Sequence, residues 1–216
     1  MSNAAASARA GTARLRRRLS NQPSRRFAMA DIKNAQILIM ATNGFEQSEL
    51  EVPRDRLREA GAKVVIASPD GKTIKGWKDK DWGTDVAVDI AIADAKEGDF
   101  TALVLPGGVM NPDQLRVNPD AMKVVKDFLT SGKVVAAVCH GPWLLVQADA
   151  LKGREATSYK SIRKDLENAG AKWVDKEVVV DNGIITSRQP DDLEAFSKKI
   201  IEEIQEGKHA RQMAAE

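Results

Sequence analysis

Short apolar runs bounded by Gly, Pro, Asn and Asp alternate along this chain with longer stretches whose apolar positions recur at helical spacing. That alternation predicts an α/β domain, a mostly parallel sheet covered by helices on both faces. Gln36–Ala41 (QILIMA) reads as the first strand, followed by the turn Thr42-Asn43-Gly44 and a helix to about Ala60 that stops at Gly61. Pro53 falls inside that helix, where it must open a second turn or kink it. Lys63–Ala67 (KVVIA) is the second strand, and Ala102–Leu105 (ALVL) is a buried strand running into Pro106-Gly107-Gly108. Pro119–Thr130 predicts a helix ending at Gly132, and Val134–Val138 (VVAAV), apolar throughout, predicts a central strand.

Between these elements, Thr73–Lys78 and Val86–Ile92 alternate weakly and predict short hairpin or edge strands. Helices are expected over about Pro142–Ala148 and Ser161–Ala169. Val178–Val180 and Ile184–Ser187 flank Asp181-Asn182-Gly183, an Asn-Gly hairpin signal. Asp191 or Asp192 is placed to cap a last helix running to about Gln205. The body is therefore one doubly wound domain over 33–206, preceded by a basic leader over 1–32 and followed by a polar tail over 207–216.

The net charge of +2 hides an uneven distribution. Residues 1–28 hold seven arginines and no acid, and removing those seven from +2 leaves −5 for the remainder. An Arg-rich, acid-free start without an apolar h-region has the composition of an organellar transit peptide, or of a leader ahead of a true first residue at Met29. A nucleic-acid arm fits less well, since no aromatic residues interleave the arginines and the body behind them is acidic. No apolar run approaches the roughly 18 residues of a membrane span, so no membrane partner is expected. A single cysteine excludes an internal disulfide and a cysteine-cluster metal site, and the expected location is cytoplasmic. Of the two histidines, His209 lies in the tail, far from His140. No metal and no cofactor are expected.

In doubly wound sheets, ligands sit beyond the C-terminal ends of the parallel strands. Three such ends carry unusual chemistry here: Gly44-Phe45-Glu46, Pro106-Gly107-Gly108 and Cys139-His140-Gly141. A strand entering a helix through a Gly-bounded turn resembles a nucleophile elbow, so Cys139 is the expected nucleophile. A helix start beside it is expected to lower the thiol pKa. Adjacent turn residues diverge, so the His140 ring need not touch the sulfur, but its backbone N–H and that of Gly108 can serve as oxyanion donors, with Gly107 allowing close approach. Glu46 beside a thiolate works only if it keeps its proton, so its pKa is expected to rise. The ordinary alternatives are a buried structural thiol, a tight Gly-Gly turn and a glutamate compensating a helix terminus.

With these three strand ends assembled, the chain resembles the PfpI family of the class I glutamine amidotransferase-like superfamily. The residues carrying the resemblance are Gly44-Phe45-Glu46, Leu103–Gly108 and Ala137–Pro142, supported by Leu151–Arg154, Thr157-Ser158-Tyr159, Asn168–Ala171, Glu177–Asp181 and Thr186–Arg188. The resemblance implies a flavodoxin-like sandwich, with small β-hairpin additions, and a homodimer or larger homo-oligomer. It implies Cys139 as nucleophile, Glu46 against the sulfur, and Tyr159 near the pocket. It also implies that His140 pairs with an acid from a neighbouring subunit, which falls by position on Asp113. Trp143 stands where many relatives carry Gln. A true amidotransferase triad is excluded, because no histidine lies between His140 and His209. The implied function is a cofactor-independent glyoxalase III-like or deglycase enzyme acting on reactive carbonyls. The alternatives are a cysteine peptidase or amidase acting on peptides, and a non-enzymatic redox-sensing or chaperone-like stress protein.

Overall fold

A computed structural model of the chain describes residues 31–207; the arginine-rich leader, Met29 and the tail with His209 lie outside the described residues. In chain order the elements are β1 (Gln36–Met40), β2 (Phe45–Glu46), α1 (Gln47–Glu59), β3 (Lys63–Ser68), β4 (Ile74–Lys78), β5 (Asp81–Val86) and β6 (Ile90–Ala91). These are followed by β7 (Ala102–Leu105), α2 (Met110–Leu115), α3 (Pro119–Ser131), β8 (Val134–Val138), α4 (Trp143–Gln147) and β9 (Glu155–Ala156). The chain closes with α5 (Arg163–Asn168), β10 (Lys172–Trp173), β11 (Val178–Asp181), β12 (Ile184–Ser187) and α6 (Leu193–Glu206).

The main sheet has the order β11-β12-β8-β7-β1-β3-β6, parallel except for the β11–β12 hairpin. The expected doubly wound architecture is present. Most of its strand positions are apolar because both faces are covered, while polar residues such as Gln36, Lys63 and Asp181 stand at strand ends. Leu38, Met40, Val65, Leu103, Leu105 and Ala137 face one core with α3, α4 and α5. Ile37, Ile39, Val64, Ile66, Val104 and Val138 face the other, with α1 and α6. Each large side chain fully buried this way contributes about 1.5–3 kcal/mol. Strand order reverses between β1 and β7, which opens the crevice where the glycine pair sits.

Several expectations are corrected. Pro53 lies within a continuous α1 and is buried there. The hairpin near residue 80 pairs β4 with β5 over Asp81–Val86 and joins β2 in a separate three-stranded sheet, whereas within Val86–Ile92 the chain forms the short edge strand β6 of the main sheet. Asp113 lies on a short helix, α2. Asp192 makes no cap hydrogen bond to α6; its carboxylate accepts from Arg188 Nε at 2.8 Å and Nη2 at 3.0 Å. Asn118 does cap α3, accepting the Ala121 amide at 2.9 Å. The hairpin turn of β11–β12 has φ +49° at Asn182 and +75° at Gly183, the paired positive values of a type I′ turn.

Candidate active site

Cys139 follows the last residue of β8, with φ +61°, a left-handed conformation that costs a non-glycine residue roughly 1–2 kcal/mol. Two backbone bonds hold it there. Its amide donates to the Ser187 carbonyl at 3.0 Å, and its carbonyl accepts from the Tyr159 amide at 2.9 Å. The residue is 7% exposed.

The carboxyl facing this sulfur belongs to Glu49, not Glu46. Glu46 ends β2 and is half-buried, with the Ser48 hydroxyl 3.5 Å from its Oε1. Its pKa is raised, as expected, by burial. Glu49 lies one helical turn later and is fully buried. Its Oε2 accepts the Gly107 amide at 3.0 Å, and its Oε1 is buried without a hydrogen-bond partner among the described residues. Burial pushes the Glu49 pKa from 4.5 up to about 8, so the carboxyl holds its proton at neutral pH.

The glycine pair is a steric requirement. A Cβ on Gly107 would lie 2.5 Å from Glu49 Oε2 and 2.7 Å from Cys139 Cβ, and one on Gly108 would lie 2.5 Å from the Gly44 carbonyl oxygen. Gly108 also has φ +74°. Asn111, fully buried in α2, ties these strand ends together. Its Nδ2 donates to the carbonyls of Pro106 at 2.8 Å and Gly107 at 3.1 Å, while its Oδ1 accepts the Thr42 amide at 2.7 Å. The backbone N–H groups of Gly108 and His140 both point at the Cys139 sulfur.

The His140 ring does touch the thiol: Nδ1 lies 3.1 Å from Sγ, and Nε2 lies 3.0 Å from Ser161 Oγ. Tyr159 stacks on the ring at 5.2 Å between centroids, and Trp143 meets it edge-on at 5.1 Å. Burial lowers the His140 pKa, with Asp165 acting weakly in the opposite direction. Trp143 in turn donates from Nε1 to Asp165 Oδ2 at 2.8 Å and carries the Arg116 guanidinium over its face at 4.8 Å. Asp113 pairs with Arg116 at 2.6 Å on the exposed side of α2.

The expected depression of the thiol pKa is overturned. Burial first, and then the Glu49 carboxyl beside it, push the thiol up, and the two amides offset only part of this. The α4 helix after the elbow is five residues long, too short for a strong dipole to compensate. The resting site is accordingly neutral at three points: a thiol, a carboxylic acid and an unprotonated imidazole, the inexpensive arrangement in a buried setting. Among the described residues no cluster of three or more His, Cys, Asp or Glu side chains could hold a metal ion. No described helix is long and apolar enough to cross a membrane.

Named proteins and solved structures resemble this chain. The chain is 47% identical over 167 residues to General stress protein 18 of Bacillus subtilis, covering 76% of this chain and 95% of that protein. It is 44% identical over 167 residues to Protein/nucleic acid deglycase 2 of Escherichia coli, with the same coverage of both chains. The crystal structure of Drosophila melanogaster DJ-1beta superposes with a TM-score of 0.73 at 30% identity, covering 80% of this chain and 91% of that one. The family model of the DJ-1/PfpI family matches residues 35–203, and the chain belongs to that family.

Proposed function

We propose that the protein is a cofactor-independent enzyme that adds Cys139 to the aldehyde of a reactive carbonyl or of an early glycation adduct. The observation that carries this is the contact at the sulfur: a base at 3.1 Å, a protonated acid alongside, and two amide donors aimed at the same point. His140 Nδ1 takes the thiol proton as sulfur bonds to the aldehyde carbon. The carbonyl π pair moves to oxygen, which meets the amides of Gly108 and His140 and receives the proton of Glu49. The product is a hemithioacetal, and the Glu49 carboxylate is then the base of the next step.

With methylglyoxal, Glu49 removes the proton from the sulfur-bearing carbon while the His140 imidazolium protonates the adjacent ketone oxygen, giving an enediol. Glu49 then returns its proton to the adjacent carbon as the hydroxyl on the sulfur-bearing carbon gives its proton back to His140, which leaves a lactoyl thioester. Water cleaves it to lactate and restores the thiol, so methylglyoxal plus water balances lactate. The deglycase named among the relatives supports the substrate class. The acyl-transfer reading fits less well, because a thiol and a neutral imidazole both held by burial do not make a standing thiolate–imidazolium pair. Within its own chain Asp113 is committed to Arg116, and the proposal routes no proton through it. Wild type incubated with methylglyoxal is expected to release lactate, and Cys139→Ala to release none above background. Equal rates in the two would overturn the proposal.

A further inference from the structure

The space around residues 107 and 108 admits no Cβ, and without one nothing in their own side chains fixes how the two peptide planes leaving β7 are turned. Both planes must nevertheless face one way for the site to exist. The Gly107 amide donates to Glu49 Oε2 at 3.0 Å, and the Gly108 amide points at the Cys139 sulfur. In a trans peptide the N–H and the C=O point in opposite directions, so an amide aimed into the site leaves its carbonyl aimed away from it. Those two carbonyls, of Pro106 and Gly107, converge on one atom. Asn111 Nδ2 donates to them at 2.8 Å and 3.1 Å.

We propose that Asn111 is a positioning residue for the reaction: its side-chain amide holds two successive peptides by their carbonyls and so aims their N–H groups at the acid and at the sulfur. The inference rests on the reading that the Gly108 amide meets the oxyanion formed when Cys139 adds to a carbonyl. The hydrogen bonds admit one orientation of the Asn111 amide. Its Oδ1 accepts the Thr42 N–H at 2.7 Å, which leaves the two hydrogens of Nδ2 for two carbonyl oxygens that can only accept. Asn111 is fully buried, so water does not compete for these groups. The Thr42 bond anchors the amide at the end of β1 and the other two reach the end of β7, so the side chain spans the crevice between these strands. Each bond to a carbonyl also polarises its peptide and strengthens the N–H on the far side as a donor. Without Asn111, the buried Gly107 carbonyl is left unpaired and turns toward another donor. With glycine on either side, that peptide can rotate, and its N–H then leaves the sulfur.

Gly107 and Gly108 are the only adjacent glycines in the chain. Cell-free synthesis with glycine carrying 13C at the carbonyl and 15N at the amine therefore labels both sides of one peptide bond, and a carbonyl-to-amide correlation spectrum shows that peptide alone. In the wild-type background, Cys139→Ala should move the Gly108 amide proton upfield, because the N–H loses the sulfur it faces. In Asn111→Ala the same cysteine substitution should move it little, because the N–H no longer faces that point. Asn111→Leu should behave alike; it fills the space and keeps water from replacing the lost donors. In lactate release from methylglyoxal, each Asn111 variant should lose about ten- to a hundredfold in kcat with KM little changed, part of the cost of deleting an oxyanion donor. An equal response of Gly108 to Cys139→Ala with and without Asn111 would overturn the inference. So would no response in the wild-type background, or an undiminished kcat in the Asn111 variants. Failure of both variants to fold would make Asn111 a residue of the fold alone, and the inference would fall. Should wild type release no lactate, the aldehyde reading fails, and the glycine resonance still decides what Asn111 does.

Discussion

Replacing Glu49 by Gln tests the protonated acid at the site through stability, independently of any substrate. The Glu49 pKa is about 8 in the folded chain against 4.5 ordinarily. Between those values the native state binds a proton that the unfolded chain has released, so the unfolding free energy falls as pH rises and levels off above about 8. Each pH unit in that window removes about 1.4 kcal/mol, a ceiling of about 5 kcal/mol in all. Glutamine keeps the shape, and its Oε1 can still accept the Gly107 amide, but it has no proton to lose. Urea unfolding of wild type and Glu49→Gln at intervals from pH 5 to pH 9 gives two curves, and their difference isolates Glu49, because the other titrating groups are common to both. The difference is expected to grow in favour of Glu49→Gln from about pH 5 to pH 8 by several kcal/mol and then flatten. Parallel curves across that window would refute a buried, protonated Glu49.

Two further substitutions probe the backbone at the site. Cys139→Gly and Cys139→Ala both lose the sulfur, but only glycine accepts φ +61° freely, so the glycine variant should be more stable by about 1 kcal/mol in denaturant unfolding. Gly107→Ala drives a methyl to 2.5 Å from Glu49 Oε2 and should cost at least about 2 kcal/mol while displacing the amide that Glu49 accepts.

The doubly wound sheet was legible because apolar runs such as VVAAV leave no polar face, and because Asn182-Gly183 names its own turn. The short α2 was not, since Asn111-Pro112-Asp113-Gln114 offers no apolar period to read; the helix is tied to the strand ends by the buried amide of Asn111 bonding three separate backbone groups. The strand Asp81–Val86 was missed because it is mostly exposed and polar, with little apolar alternation to betray it. Cys139, His140 and the glycine pair followed from their places at strand ends, but the acid was displaced by one helical turn. The signal was present: Glu49, Pro53 and Leu57 stand at i, i+4 and i+8 on the buried face of α1, so a glutamate heads an otherwise apolar row. The nearness of Ser161 to His140 carried no such signal, because a fold-back contact between Tyr159 and Cys139 creates it. The thiol pKa was misjudged because motif reasoning weighs a helix start and not the burial around it.

The proposed chemistry requires a covalent bond between sulfur and substrate carbon. Rapid quenching of the enzyme during turnover of 13C-labelled methylglyoxal, followed by peptide mass analysis, should find label on the Cys139 peptide that decays as lactate appears. Undiminished lactate production with that peptide unlabelled at every time point would contradict it.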